Sequence, residues 1–131
     1  MIEVDDEYYK GFEGEIEIDF VYRRDGEVVK RMEIWFGYFL NLITGMVPEN
    51  EEPTGILYDL LIGEDWEEEP WKILDIQQTI EQFCGYNECN FNVTEKPSKG
   101  ILLKLPKVLE KILNFLKEVK KNDGEVYIEY L

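Results

Sequence analysis

Glu15-Ile16-Glu17-Ile18-Asp19-Phe20-Val21-Tyr22, then Arg23-Arg24-Asp25-Gly26, then Glu27-Val28-Val29-Lys30-Arg31-Met32-Glu33-Ile34 is the stretch on which the fold turns. Ile16, Ile18, Phe20 and Tyr22 alternate with Glu15, Glu17, Asp19 and Val21, and a period of two residues means a strand with one buried face. A second alternating run follows the turn, so the pair reads as a hairpin. A three-residue turn over Arg24-Asp25-Gly26, with Gly26 left-handed, sets Ile18 opposite Met32, Ile16 opposite Ile34 and Tyr22 opposite Val28. It also places Asp19 across from Arg31 on the wet face. A two-residue turn would set Phe20 against Arg31, so the three-residue register is the expectation.

Working outward, the period changes after Trp35. Phe36, Tyr38, Phe39, Leu40, Leu42 and Ile43 predict a short, mostly buried helix that stops near Gly45 and Pro48. Glu49 to Gly55 reads as an exposed acidic loop, and the apolar run Ile56 to Ile62 is too short to assign by periodicity. Asp75 followed three residues later by Gln78 resembles a capping box, with a helix over Ile76 to Cys84 behind it. Phe91 and Val93, then Ile101, Leu103 and Leu105, suggest one or two strands around a turn at Pro97 to Gly100. A long helix is expected from Pro106, with Val108, Leu109, Ile112, Leu113, Leu116 and Val119 on one stripe and Asn122-Asp123-Gly124 as its stop. Val126, Ile128 and Tyr130 then alternate in a closing strand. No βαβ unit repeats, so the expected class is α+β: an antiparallel sheet opening on the hairpin, helices packed on one face, and a long C-terminal helix followed by a closing strand. Residues 1–131 read as a single domain.

The composition bounds the chemistry. The chain is 44% hydrophobic and 14% aromatic, which argues against disorder as the cause of its net charge of −15. No apolar run approaches the roughly 20 residues that span a bilayer. The acidic start Glu3-Val4-Asp5-Asp6-Glu7 is unlike a secretory signal, so a cytoplasmic location is expected. In a reducing compartment Cys84 and Cys89 read as free, partly buried thiols, and the acceptor pattern Asn92-Val93-Thr94 as chance. The absence of histidine removes the commonest general base, the Ser-His and Cys-His nucleophile pairs and nearly all transition-metal ligand sets. No Gly-Lys-Ser/Thr phosphate loop is present. No catalytic residue, metal site or cofactor is therefore expected.

What remains is charge. From Met32 to Trp71 there is no lysine or arginine, but there are ten acids: Glu33, Glu49, Glu51, Glu52, Asp59, Glu64, Asp65, Glu67, Glu68 and Glu69. Such a surface repels nucleic acids and anionic membranes and steers basic proteins toward itself. Trp66 and Trp71 lie among these acids, where indoles serve either as hot-spot anchors or as core. Tyr8 and Tyr9 beside Asp5-Asp6-Glu7 form a smaller patch of the same composition. The carboxylates at Glu64-Asp65 and Glu67-Glu68-Glu69 fail the calcium-loop pattern because Gly63 precedes them and Trp66 interrupts them. The lysines of the final third, Lys107, Lys111, Lys117, Lys120 and Lys121 among them, complement a helix dipole more readily than they bind nucleic acid on so acidic a chain.

Through Asp59, Glu64-Asp65-Trp66-Glu67-Glu68-Glu69-Pro70-Trp71 and its overall charge, the chain resembles in type the small acidic immunity proteins of bacterial polymorphic and contact-dependent toxin systems. That resemblance implies a non-enzymatic inhibitor of a basic partner, commonly a nuclease toxin domain, whose active site it covers with carboxylates and aromatics. The contact residues expected are Glu64, Asp65, Trp66, Glu67, Glu68, Glu69 and Trp71, then Asp59, Glu51 and Glu52. The alternatives are a nucleic-acid mimic that inhibits a DNA-binding or defence protein, and a carboxylate-dependent hydrolase.

Overall fold

A computed structural model describes residues 2–131. The chain runs β1 (Glu3–Tyr8), β2 (Glu17–Arg24), β3 (Glu27–Trp35), α1 (Phe36–Thr44), α2 (Gly55–Leu61), β4 (Trp71–Lys72), α3 (Ile76–Phe83), α4 (Lys99–Lys121) and β5 (Glu125–Tyr130). The five strands form one sheet in the order β1-β3-β2-β5-β4, antiparallel except for the β1–β3 pair. This is the expected α+β class, with the long C-terminal helix and closing strand in place.

The even positions of β2 build the core. Ile18, Phe20 and Tyr22 face inward with Met32 and Ile34 of β3 and Val126 and Ile128 of β5, against Phe39, Leu42 and Ile43 of α1 and Leu105, Val108, Ile112 and Leu116 of α4. Aromatic edges interlock at the centre, with Phe20 against Phe39 at 5.9 Å and against Phe115 at 6.2 Å. The odd positions of β2 project the other way, and Val21 there is buried yet stands apart from the core cluster. Arg23 lies over the Tyr127 ring at 4.4 Å on the same outer face.

The hairpin register differs from expectation. Asp25 and Gly26 both take positive φ, 53° and 81°, which makes the two-residue turn whose twist matches the flanking strands. A bulge beside Tyr22 then shifts the ladder, so Ile18 pairs with Ile34, Phe20 with Met32 and Asp19 with Glu33. From the bulge to Trp35 the expected and observed registers differ by two residues, which keeps those side chains on their assigned faces, whereas Val28, expected opposite Tyr22, pairs with Arg23. Arg31 still reaches Asp19, from the diagonal position.

Other expectations are corrected. α4 begins at Lys99, not Pro106, and Ile101 to Leu105 lie in its first turns instead of a strand; the Ser98 hydroxyl caps it by accepting from the Ile101 amide at 3.5 Å. Phe91 follows a short 3-10 turn, Glu88–Asn90, and Val93 is exposed in a loop. The run at Ile56 is helix α2. Asp75 caps α3 as expected, accepting from the Gln78 amide at 2.9 Å. Cys84 and Cys89 are free but exposed, at the end of α3 and in the 3-10 turn, not partly buried. Tyr8 and Tyr9 belong to an ordered corner: Tyr8 packs edge-on against Tyr38 at 6.3 Å, and the Tyr9 hydroxyl donates to the Glu15 carbonyl. Lys111 of α4 clamps this edge strand, donating to Asp5 and reaching Glu7, each at 2.6 Å. Among the described residues, no helix is long and apolar enough to cross a membrane.

Candidate functional site

The acidic segment after α2 is shaped by one inward side chain. Trp66 sits in a 3-10 turn, Asp65–Glu67, and is only 3% exposed, packed against Tyr130 at 5.8 Å and Phe39 at 6.0 Å. Its flanking acids Glu64, Asp65, Glu67, Glu68 and Glu69 are all exposed. The tryptophan that interrupts the charge run is thus the plug that pins the loop to the core, and the carboxylates radiate outward from it. Its indole is out of a partner's reach, so core packing is its role.

Trp71 is different. Half-buried at the start of β4, it lines, with Asp59 of α2 and Asp75 at the N-cap of α3, a groove of about 350 Å³ whose other walls are Gly55, Ile56, Ile73, Leu74, Gln78 and Thr79. Leu74 is 88% exposed at its mouth. Among the described residues, no lysine or arginine lines the groove. Glu51 and Glu52 line a second depression of about 300 Å³ with Thr54, Leu57 and Gln82. Both depressions lie along the seam between α2 and α3. A double tie fastens that seam: the Gln82 side-chain amide donates to the Thr54 carbonyl at 2.9 Å and its oxygen accepts from the Ile56 amide at 3.1 Å. Gly55, at φ +57°, makes the close approach possible, since a Cβ there would stand 2.7 Å from Gln82 Oε1. The nearest basic residue in sequence, Lys72, is paired with Glu125.

A second acidic site lies on the outer face of the sheet. Glu17 and Asp19 of β2 and Glu33 of β3 bring carboxylate oxygens within 4.8 Å of one another. Asp19 is 1% exposed. The Arg31 guanidinium donates to Asp19 Oδ2 at 2.7 Å and, through its two terminal nitrogens, to Glu129 at 3.1 and 3.4 Å. Asp19 Oδ1 and Glu17 Oε2 are buried without a hydrogen-bond partner. Burial, and then the neighbouring carboxylates of Asp19 and Glu33, push the Glu17 carboxyl up to about 8 against the pull of Arg31. Glu33 is raised too, by burial and then by Asp19 and Asp6.

Sequence reasoning placed Asp19 on a wet face because alternation reports two sides of a strand, not how fully long side chains cover one of them. The signal present was Glu17 and Asp19 two residues apart on a central strand, and it needed the register of β3 to bring in Glu33. Among the described residues, the acids of the 64–69 loop form no comparable cluster. No protein-family model matches the chain, and no curated protein or solved structure matches it either.

Proposed function

We propose that the protein is a non-enzymatic acidic binding protein that captures and neutralises a basic protein partner, as an immunity protein does its toxin, the partner being a toxin domain of the nuclease kind. The observation that carries this reading is the groove in which Trp71, Asp59 and Asp75 converge with no basic side chain in the lining. A lysine or arginine of the partner suits it: the apolar stem lies along Trp71, Ile73 and Leu74, and the cationic head meets the two carboxylates. The Glu64–Glu69 loop runs directly into Trp71, and its outward acids supply the field that draws a basic surface in. Glu51 and Glu52 extend the acidic surface along the same seam. Trp66 supports the interface by holding the loop in shape.

The test is a low-salt pull-down from host lysate with the tagged protein beside a variant carrying Glu67→Lys, Glu68→Lys, Glu69→Lys and Trp71→Ala. One basic protein in stoichiometric amount, retained by the natural sequence and lost from the variant, is the expected result. Equal retention by both, or only a set of unrelated nucleic-acid-binding proteins that all wash off at high salt, would sink it.

A further inference from the structure

We propose that Glu17, Asp19 and Glu33 form a binding site for one hard divalent cation on the outer face of the sheet. The site stands apart from the groove at Trp71, and nothing in it depends on the partner reading.

Its geometry is fixed by the core beneath it. Period two places Glu17 and Asp19 on the same side of the central strand, and the β2–β3 register sets Glu33 directly across from Asp19. The ladder is anchored by Ile18, Phe20, Met32 and Ile34 on the opposite face, so the three carboxylates are held together whatever their charge costs. Oxygens within 4.8 Å of one another match the span of ligands around an ion that takes each at roughly 2.0–2.6 Å.

The buried orphan oxygens point to an absent partner. Asp19 is 1% exposed and commits only Oδ2 to Arg31, leaving Oδ1 buried and unpaired beside Glu17 Oε2, which is unpaired as well. Buried polar atoms are almost always satisfied, and a carboxylate oxygen without a donor is among the costliest to leave bare. Arg31 is already shared between Asp19 and Glu129. A cation between Glu17, Asp19 and Glu33 satisfies both orphans at once. Arg31 then acts as a positioning residue that orients the Asp19 carboxylate from behind, as outer partners of metal ligands do.

The donor set selects the class of ion. All three ligands are carboxylates with no nitrogen or sulfur among them, which suits magnesium, calcium or manganese over zinc or copper. Glu17 and Glu33 are half-buried, so the outward side stays open to the waters such ions keep.

The experiment titrates the chelator-treated full chain with Mn²⁺, followed by electron paramagnetic resonance, and with Ca²⁺ and Mg²⁺ by calorimetry. Amide NMR locates the paramagnetic broadening. The expected result is one ion per chain, broadening centred on β2 and β3, and an affinity lowered at least about tenfold by Glu33→Gln. Glu33 is partly exposed, so this variant keeps the fold, which circular dichroism checks. A second variant with Glu67→Gln, Glu68→Gln and Glu69→Gln leaves the affinity unchanged. Absence of binding at millimolar ion overturns the proposal. So does binding that follows the loop variant instead of Glu33→Gln.

Discussion

In the ion-free protein, burial and then Asp19 and Glu33 raise the Glu17 carboxyl from 4.5 to about 8, so at neutral pH it holds a proton that the unfolded chain would release and that a bound cation would displace. The sign of the consequence follows from which state binds more protons. Between the unfolded and folded values the native state binds the extra proton, so stability is fully present below the lower value and is lost as pH rises through the upper one. In chelator-containing buffer this carboxyl is expected to lower the unfolding free energy by roughly 1–2 kcal/mol between about pH 5 and pH 9, after allowance for solvent at the half-buried site. Glu17→Gln, uncharged at every pH, removes that slope and is the more stable of the two proteins at the alkaline end. Denaturant titrations of both proteins across the range measure it, and parallel pH profiles would refute it. Trp66 carries a different lesson at the same scale. A tryptophan inside an acidic run reads equally well as a surface anchor or as core, and its 3% exposure settles that it is the loop's attachment to the sheet and helices.

At the scale of elements, α4 is the least conventional piece. Pro106 lies well inside a helix that runs from Lys99 to Lys121, so the bond its amide would make to the Leu102 carbonyl is missing. Proline in a helix interior is about 3 kcal/mol less favourable than alanine. Pro106 is exposed and lines a shallow apolar depression with Tyr86, Leu109 and Leu113, and proline also restricts the unfolded chain, so part of that difference is offset. Pro106→Ala is therefore expected to stabilise the protein by about 1–2 kcal/mol, read from the denaturant midpoint; a loss of stability would refute this reading of Pro106. The same proline explains why the helix start was misplaced in the sequence. Pro106 resembles a first-turn residue, and Ile101, Leu103 and Leu105 alternate by coincidence ahead of it, while the cap that starts the helix is Ser98. The hairpin faces, α1, α3 with its Asp75 cap, and β5 were legible because their periods and caps are local. β1 was not, since Glu3 to Tyr8 has no apolar alternation and is held by pairing with β3 and by Lys111. Asp59 and Trp71 were singled out one by one, but their meeting across α2, β4 and α3 with Asp75 is a product of the fold. The Glu17, Asp19 and Glu33 cluster likewise required the true register.

For the whole molecule, a net charge of −15 on 131 residues acts in two opposite directions. Self-repulsion strains the folded state, and exposed carboxylates such as Glu64, Asp65, Glu67, Glu68 and Glu69 crowd one side of it. The same field lengthens the reach toward a basic partner. Salt screens both effects, with a Debye length falling from about 30 Å at 0.01 M to about 3 Å at 1 M. Raising the salt should therefore increase the thermal midpoint of the free protein and, in the same range, slow its association with the proposed basic partner by about tenfold or more. On the proposed reading the dissociation rate should change little with salt, because the contacts that govern it would be desolvated in the groove. Trp71→Ala should do the reverse, speeding dissociation while leaving the salt dependence of association intact. Charge reversal at Glu67, Glu68 and Glu69 should flatten that dependence. Stopped-flow association and surface-plasmon dissociation, measured across salt for both variants, separate the two contributions. If Trp71→Ala altered only the association rate, or if the loop reversals altered only dissociation, the division of labour between an attracting loop and an anchoring groove would have to be abandoned.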